Sequence, residues 1–164
     1  KDALILIPNN YIQTKNYDIV TDFIKNNHQD CKKKLNSILI TGPNKSGKTV
    51  LAIKAGFDCK IKNTKIIRAI DLITFDESSK AYYIADIVKN SYISEESLII
   101  IDDIEIATNY AYLGNHPTFS NRLYQVLITL LKTEPTNKIT FICTCSDKGF
   151  SESVAKFFDK IVVI

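Results

Sequence analysis

The fold is decided by residues 37–49, which read SILITGPNKSGKT. Residues 37–41 are mostly apolar or β-branched, which predicts a buried strand. The eight residues from Gly42 to Thr49 match the pattern G-x-x-x-x-G-K-[ST] of a phosphate-binding loop. Residues 50–55 continue with a helical pattern, which we expect to end at Gly56. The pattern therefore occurs between a strand and a helix, the context that a phosphate-binding loop requires.

This loop carries groups suited to a polyphosphate. Glycines at 42 and 47 would let backbone N–H groups surround a β-phosphate, and the following helix would direct its positive end toward it. Lys48 would contact β- and γ-phosphate oxygens, and the Thr49 hydroxyl would bind Mg²⁺. We predict that the loop and the next residue bind the nucleotide: Gly42, Pro43, Asn44, Lys45, Ser46, Gly47, Lys48, Thr49 and Val50.

A second acidic element follows the apolar run at residues 98–101, in the sequence LIIIDD. Asp102, at the predicted strand end, is the expected Mg²⁺ ligand, directly or through water. Asp103 stands where an active ATPase usually carries a Glu that polarises the attacking water. Because Asp is one methylene shorter, its oxygens would fall about 1 Å short, which can cost about 10²-fold in rate. A polar turn after a strand is the alternative interpretation of this pair.

Thr144 and Ser146 are two further polar candidates, at and just after the end of the predicted strand at residues 139–145. Either hydroxyl could contact a γ-phosphate or the attacking water. A strand-end Ser or Thr is also a common turn former, and the sequence leaves both interpretations open.

The rest of the chain alternates apolar strands with helical patterns. We predict further strands at residues 65–70, 98–102, 139–145 and 160–164, and helices at 79–89, from the Ser120 cap to a stop at Pro135, and at 151–158. Strands this apolar need cover on both faces, which indicates a three-layer α/β domain with a parallel sheet. The first 35 residues are expected to form an extension beside the sheet, and residues 36–164 the core.

Composition narrows the class of protein. The chain has 164 residues, a formal charge of +3 and only two arginines, which argues mildly against nucleic-acid binding. Its longest apolar runs are far shorter than the roughly 18 residues that span a bilayer. The four cysteines lack zinc spacing, and we interpret them as reduced thiols in the cytosol. Since the chain does not begin with Met, we interpret it as part of a longer protein.

Four stretches, ILITGPNKSGKTVLA, LIIIDDIE, FSNRLYQVLITLLK and FICTCS, together resemble the second AAA module of the N-ethylmaleimide-sensitive factor family, which disassembles SNARE complexes. The resemblance covers almost the whole chain. It implies an AAA+ large subdomain with a five-stranded parallel sheet of order 5-1-4-3-2, in a hexameric ring. In this family the second module holds Mg-ATP tightly, hydrolyses it slowly and mainly keeps the ring assembled.

The resemblance also implies roles for single residues. Asp102 and Asp103 match the second acidic motif, and Ser146 falls where active modules carry a sensor Asn. Ile5 and Ile7 fall where the family lines the adenine pocket, and Phe75 lies in the loop facing the central pore. The family's C-terminal helical lid is absent from this sequence.

Two departures from the active AAA pattern predict slow turnover. Phe157 and Lys160 stand where active modules place arginine fingers, and no Arg follows Arg122. An arginine finger is typically worth about 10³ to 10⁵ in rate. The partners implied by the resemblance are other copies in a homohexamer, and the SNARE complex with its SNAP-type adaptor through other domains. It further implies a cytoplasmic protein, peripheral to membranes, that does not act on nucleic acid.

Two other functions remain open on the same loop. A helicase-loader-type AAA+ ATPase acting on DNA can carry a similar acidic motif, but it should present an Arg-bearing basic surface. A small-molecule kinase would require several cationic groups around the transferred phosphoryl group and a lid inside the chain. Two arginines give little support to either alternative.

Overall fold

A computed structural model describes residues 14–29 and 32–164. Its helices and strands alternate along the chain as the sequence predicts. In order they are α1 (Lys15–Gln29), β1 (Leu35–Thr41), α2 (Lys48–Asp58), β2 (Asn63–Arg68), α3 (Ala69–Leu72), α4 (Glu77–Ser91), β3 (Glu96–Asp102), α5 (Ile104–Ala107), β4 (Ala111–Leu113), β5 (His116–Thr118), α6 (Asn121–Lys132), β6 (Lys138–Cys145), α7 (Lys148–Val154), a 3₁₀ turn (Ala155–Phe157) and β7 (Lys160–Val163).

Five strands form one parallel sheet in the order β2-β3-β6-β1-β7. Numbered among themselves along the chain and read from the β7 edge, these strands run 5-1-4-3-2, which is the expected order. The short strands β4 and β5 pair with each other, as an antiparallel hairpin. The predicted three-layer α/β fold with a five-stranded parallel sheet is confirmed.

Helices cover both faces of the sheet because alternate strand residues point to opposite sides. In β3, Leu98 and Ile100 face the apolar cluster formed with α1 and α2. Ile99 and Ile101 face the cluster on the other side, with α4, α6 and α7. All four side chains are buried. A strand buried on both sides must be apolar along its whole length, which is why this run reads LIII.

The helix α1 packs beside the core against α2 and β7. Val20 and Ile24 are buried in the cluster shared with α2. The Tyr17 hydroxyl donates to Asp58 Oδ2 at the end of α2, over 2.5 Å. Part of the predicted extension therefore lies beside the sheet. The adenine-pocket candidates Ile5 and Ile7, and the cysteine at position 31, lie outside the described residues.

Several predicted boundaries are wrong, and two of them have a tertiary reason. The predicted strand at 65–70 ends earlier, at Arg68, because its neighbour β3 ends at Asp102, the residue paired with Arg68. Residues 69 and 70 begin α3 instead. Gly56 does not end α2, which continues to Asp58. A Cβ at Gly56 would lie 2.7 Å from Leu98 Cδ2, so this glycine permits close packing of the helix on the sheet.

The hairpin β4–β5 was not predicted, because its three-residue strands are too short to show an alternating pattern. The dipeptide Gly114-Asn115 between them is a hairpin signal, and Gly114 has the positive φ of 63° that such a turn requires. His116 lies in β5, and His28 lies in the last turn of α1. Both histidines are exposed.

Further features of the fold concern the burial of single side chains and the ends and lengths of the helices. Cys143 and Cys145 are fully buried core residues on one face of β6. The predicted helix at 151–158 begins earlier, at Lys148, because the Asp147 side chain accepts from the Phe150 N–H as its N-cap. Tyr82 is 75% exposed. Among the helices of residues 14–29 and 32–164, none is both long and apolar enough to cross a bilayer.

Candidate functional site

The three strands β3, β6 and β1 are neighbours in the sheet, so their carboxyl ends lie side by side. The loop after β1 begins at Gly42, whose N–H donates to the carbonyl of Cys145 at the end of β6. Asp102 is the last residue of β3, which lies on the other side of β6 from β1. In open parallel sheets, ligands bind at this end of the strands.

The loop geometry depends on its two glycines for different reasons. Gly47 is the N-cap of α2 with φ 90° and ψ 13°, a left-handed conformation that strains other residues. Gly42 has no such torsion, but a Cβ there would lie 2.8 Å from the carbonyl oxygen of Ile164. The first glycine therefore allows a close approach of two backbone segments, and the second turns the chain into the helix.

Lys48 lies inside the loop in the first turn of α2, only 5% exposed. Its Nζ donates to the carbonyl oxygens of Gly42 and Pro43, at 3.0 and 2.8 Å. The hydroxyl of Ser46 is buried in the same loop and has no hydrogen-bond partner among the described residues. The loop thus holds a buried ammonium, which is bound to its first two carbonyls, and a buried hydroxyl that the described residues leave unsatisfied.

A chain of hydrogen bonds joins α2, β3 and β6. The Thr49 hydroxyl donates to Asp102 Oδ1 over 2.8 Å, and the Thr144 hydroxyl donates to the same oxygen over 2.7 Å. The Thr144 oxygen also accepts the backbone N–H of Asp103 at 2.8 Å. Thr144 is fully buried, so it lies behind the acidic pair and fixes the orientation of Asp102.

Asp103 adopts the left-handed conformation, with φ 52° and ψ 62°. Aspartate tolerates this region better than most residues. Burial is the main cause that raises the pKa of Asp103 from its ordinary value of 3.8 to about 6, followed by the charges of Asp102 and Glu105, while Lys48 lowers it. Three carboxylates therefore lie within electrostatic reach of one another here.

A cavity of about 300 Å³ lies over the loop. Asp103 and Ser146 line it together with the loop and the start of α2. The structure thus brings these two candidates onto the walls of one cavity, while Thr144 is not among the residues that line it. The lining residues are Asn44, Lys45, Gly47, Lys48, Thr49, Val50, Asp103 and Ser146.

A second, largely apolar cavity of about 530 Å³ shares Ser146 with the first. It extends from Gly42 and Pro43 across the exposed side chains of β7, including Ile161 and Val163. The two cavities therefore adjoin at the end of the sheet, one polar and one apolar.

Glu105 was missed by the sequence analysis. It is only 7% exposed, and its Oε1 accepts the backbone N–H of Ser146 over 2.8 Å. The available signal was a charged residue inside an apolar helical turn, between Ile104 and Ala107, both of which are buried. A buried carboxylate is expected to have a specific partner.

The positions where active modules carry arginine fingers provide no guanidinium. Phe157 is contacted by the ammonium groups of Lys132 and Lys156, at 4.7 and 5.1 Å from the ring centroid. Lys160 is exposed at the start of β7. Phe75, in the loop before α4, is 37% exposed and packs edge-on against Tyr83.

Replacing Asp103 by Asn should stabilise the Mg²⁺-free protein at neutral pH. Because the pKa of Asp103 is higher in the folded state, its contribution to stability is greatest below the ordinary value of 3.8 and falls as pH rises through about 6. Removing the charge should therefore raise the free energy of unfolding by about 1 kcal/mol above that range, after allowance for solvent screening. Asn also tolerates the left-handed conformation.

Thermal unfolding in a chelator at about pH 7.5 and about pH 4.5 tests this expectation. A gain in Tm of about 2 to 4 °C is expected at the higher pH, and a smaller gain at the lower pH. A gain of equal size at both pH values would show that the charge of Asp103 is not its cause.

The order of the sheet, the loop around Lys48 and the contact between Thr49 and Asp102 define a P-loop nucleotide-binding fold. Residues 38–163 match the profile of the family described as "ATPase family associated with various cellular activities (AAA)". The chain belongs to this AAA family.

Several relatives share one function in their names. The chain is 39% identical over 118 residues to the vesicle-fusing ATPase of Arabidopsis thaliana, which covers 71% of this chain and 16% of the relative. It is 28% identical over 136 residues to the vesicular-fusion protein sec18 of Schizosaccharomyces pombe, covering 80% and 17%. For SEC18 of Saccharomyces cerevisiae the values are 31% over 113 residues, covering 69% and 15%. The chain thus spans about a sixth of each relative.

Proposed function

We propose that this chain is the Mg-ATP-binding module of a vesicle-fusing AAA ATPase. The observation that carries the proposal is the contact between Thr49 and Asp102 beside the buried ammonium of Lys48. A hydroxyl and a carboxylate from two elements meet at the start of α2, where the helix dipole favours phosphate. The unsatisfied Ser46 hydroxyl in the loop fits a phosphate oxygen as its partner.

The donors present fit Mg²⁺. Mg²⁺ prefers oxygen ligands and usually takes one or two from the protein, with water and phosphate oxygens supplying the rest. Thr49 and Asp102 would supply the protein oxygens, and Thr144 holds Asp102 in place from behind. When bound, the metal would neutralise phosphate charge. Lys48 would contribute a second positive charge to the cavity.

The remaining part of the nucleotide fits the adjoining apolar cavity. The polar cavity of about 300 Å³ is lined by phosphate-binding groups, whereas the cavity that shares Ser146 with it is lined mainly by aliphatic side chains. A nucleoside presents flat apolar faces, and most ligand pockets combine such a surface with a few polar groups. We therefore assign the triphosphate to the polar cavity and the nucleoside to the apolar one.

Slow hydrolysis is part of the proposal. Asp103 lines the phosphate cavity, but its carboxylate is one methylene shorter than the Glu expected of an active ATPase. Phe157 and Lys160 provide no guanidinium for a neighbouring subunit. The nucleotide would then act chiefly as a structural ligand between copies of the chain, in the homohexamer that the resemblance implies.

The names of the relatives support a place in vesicle fusion. We propose that the protein acts in the cytoplasm on SNARE complexes, engaging them and their adaptors through parts outside these residues. A DNA-associated loader has less support. Arg68 is paired with Asp71, and Arg122 donates to Ser78 Oγ, so both arginines are engaged within the chain.

The test is the solution mass of the protein with and without Mg-ATP, with phosphate release followed in the same samples. A ring-sized particle that requires ATP, together with slow phosphate release, is the expected result. A monomer that ATP does not change would contradict the structural role of the nucleotide. Retention of single-stranded DNA at moderate salt would instead favour the loader.

A further inference from the structure

Glu105 is a buried charged group that the proposed chemistry does not use. It lies in the four-residue helix α5, two positions after Asp103, and is 7% exposed. Its Oε1 accepts the Ser146 N–H, while its Oε2 is buried with no hydrogen-bond partner among residues 14–29 and 32–164. A buried carboxylate with so few donors costs free energy, so its retention calls for a reason.

The contact has a structural consequence for the phosphate cavity. Asp103 and Ser146 line that cavity from two different strand ends, those of β3 and β6. Ser146 is the first residue after β6, where sheet hydrogen bonds no longer hold the backbone. The Glu105 carboxylate, at 2.8 Å, is the side chain that holds the backbone N–H of Ser146.

A second link, made by the hydrogen bonds of Thr144, joins the same ends of β3 and β6. Thr144 bridges Asp102 and the N–H of Asp103 within the sheet layer. The Glu105 contact lies further along the chain from both strand ends. Together the two links hold the acidic pair, Asp102 and Asp103, and Ser146. Only the outer link, through Glu105, bears directly on Ser146.

We propose that Glu105 is a positioning residue that holds Ser146 at the distance from the phosphate loop at which its hydroxyl distinguishes a γ-phosphate from its absence. This inference rests on the proposed binding of ATP. Glu105 touches no part of the nucleotide in this assignment. Its effect reaches the nucleotide through the Ser146 backbone.

The test compares Glu105→Ala with Glu105→Gln, which keeps a carbonyl oxygen for the Ser146 N–H. The first readout is amide hydrogen exchange at Ser146 without nucleotide. We expect exchange about tenfold or more faster in Glu105→Ala, and near the unaltered rate in Glu105→Gln. Equal exchange in the unaltered protein and Glu105→Ala would overturn the proposal, whatever the nucleotide measurements give.

The second readout is the ratio of the affinities for Mg-ATP and Mg-ADP. Glu105→Ala should lower the preference for ATP by about tenfold, because a displacement of about 1 Å at such a contact costs up to 10²-fold. Its affinity for ADP should stay within about threefold, and Glu105→Gln should restore the preference for ATP. An equal loss for both nucleotides, without rescue by Gln, would show a merely structural role.

Two further measurements cover the cases in which a variant does not fold or the unaltered protein does not bind ATP. If Glu105→Ala does not fold, the double-mutant cycle of Glu105→Leu with Ser146→Ala decides, since Leu is similar in size but cannot accept the Ser146 N–H, and residues acting together give non-additive effects. Additive effects would overturn the proposal. Absence of ATP binding by the unaltered protein would refute the proposed function instead, and Ser146 exchange would still decide whether Glu105 holds that residue.

Discussion

Replacing Lys48 by Ala should weaken the binding of Mg-ATP by about 100-fold or more. Charge-assisted hydrogen bonds are worth about 1.5 to 3 kcal/mol each, and every factor of ten in affinity corresponds to about 1.4 kcal/mol. Lys48 lies buried in the loop, where an ammonium already makes two hydrogen bonds to loop carbonyls. Its removal leaves the phosphate with the backbone and the helix dipole alone at this point of the cavity.

The measurement is a nucleotide titration, together with thermal unfolding at saturating Mg-ATP. Ligand at 100 times its Kd stabilises a protein by about 2.7 kcal/mol, and Lys48→Ala should lose this increment. Lys54→Ala is the matched control, because this residue lies on the same helix and forms a surface ion pair with Asp58. A comparable loss of affinity in both variants would refute the role of Lys48.

Replacing Phe141 by Ala should lower the free energy of unfolding by about 3 to 5 kcal/mol. Phe141 lies in β6, which has sheet neighbours on both sides, and is 1% exposed in the cluster with α4, α6 and α7. The lost free energy has two parts, the burial of an aromatic ring that the variant no longer has and the cost of the cavity that remains. Since domains are stable by only about 5 to 15 kcal/mol, the variant should be close to unfolding.

Denaturant unfolding of both variants measures this effect. Tyr82→Ala is the control, because it removes an aromatic ring of similar size that is 75% exposed. Its expected change lies within about 0.5 kcal/mol. Similar losses at the two positions would show that the core is not packed around β6 as described.

The sequence predicts the layers of this fold well because they depend on composition over short windows. A run such as LIII at residues 98–101 can be stable only between two covering layers, and the loop before Lys48 requires a strand and a helix beside it. The predicted sheet and loop are therefore confirmed. The role of Gly56 and the end of β2 could not be predicted, because they depend on the packing of α2 against Leu98 and on the end of β3.

The candidate site likewise has parts that the sequence predicts and parts that only the tertiary structure shows. The sequence by itself predicted the loop around Lys48 and the acidic pair after β3 as the groups of the proposed site, because both are contiguous patterns. Only the tertiary structure decided that Thr144 lies behind Asp102 and that Glu105 holds Ser146, since these contacts join strands about 40 residues apart in sequence. Hydrogen bonds between distant segments depend on how the strands are ordered in the sheet, and no local pattern records that order.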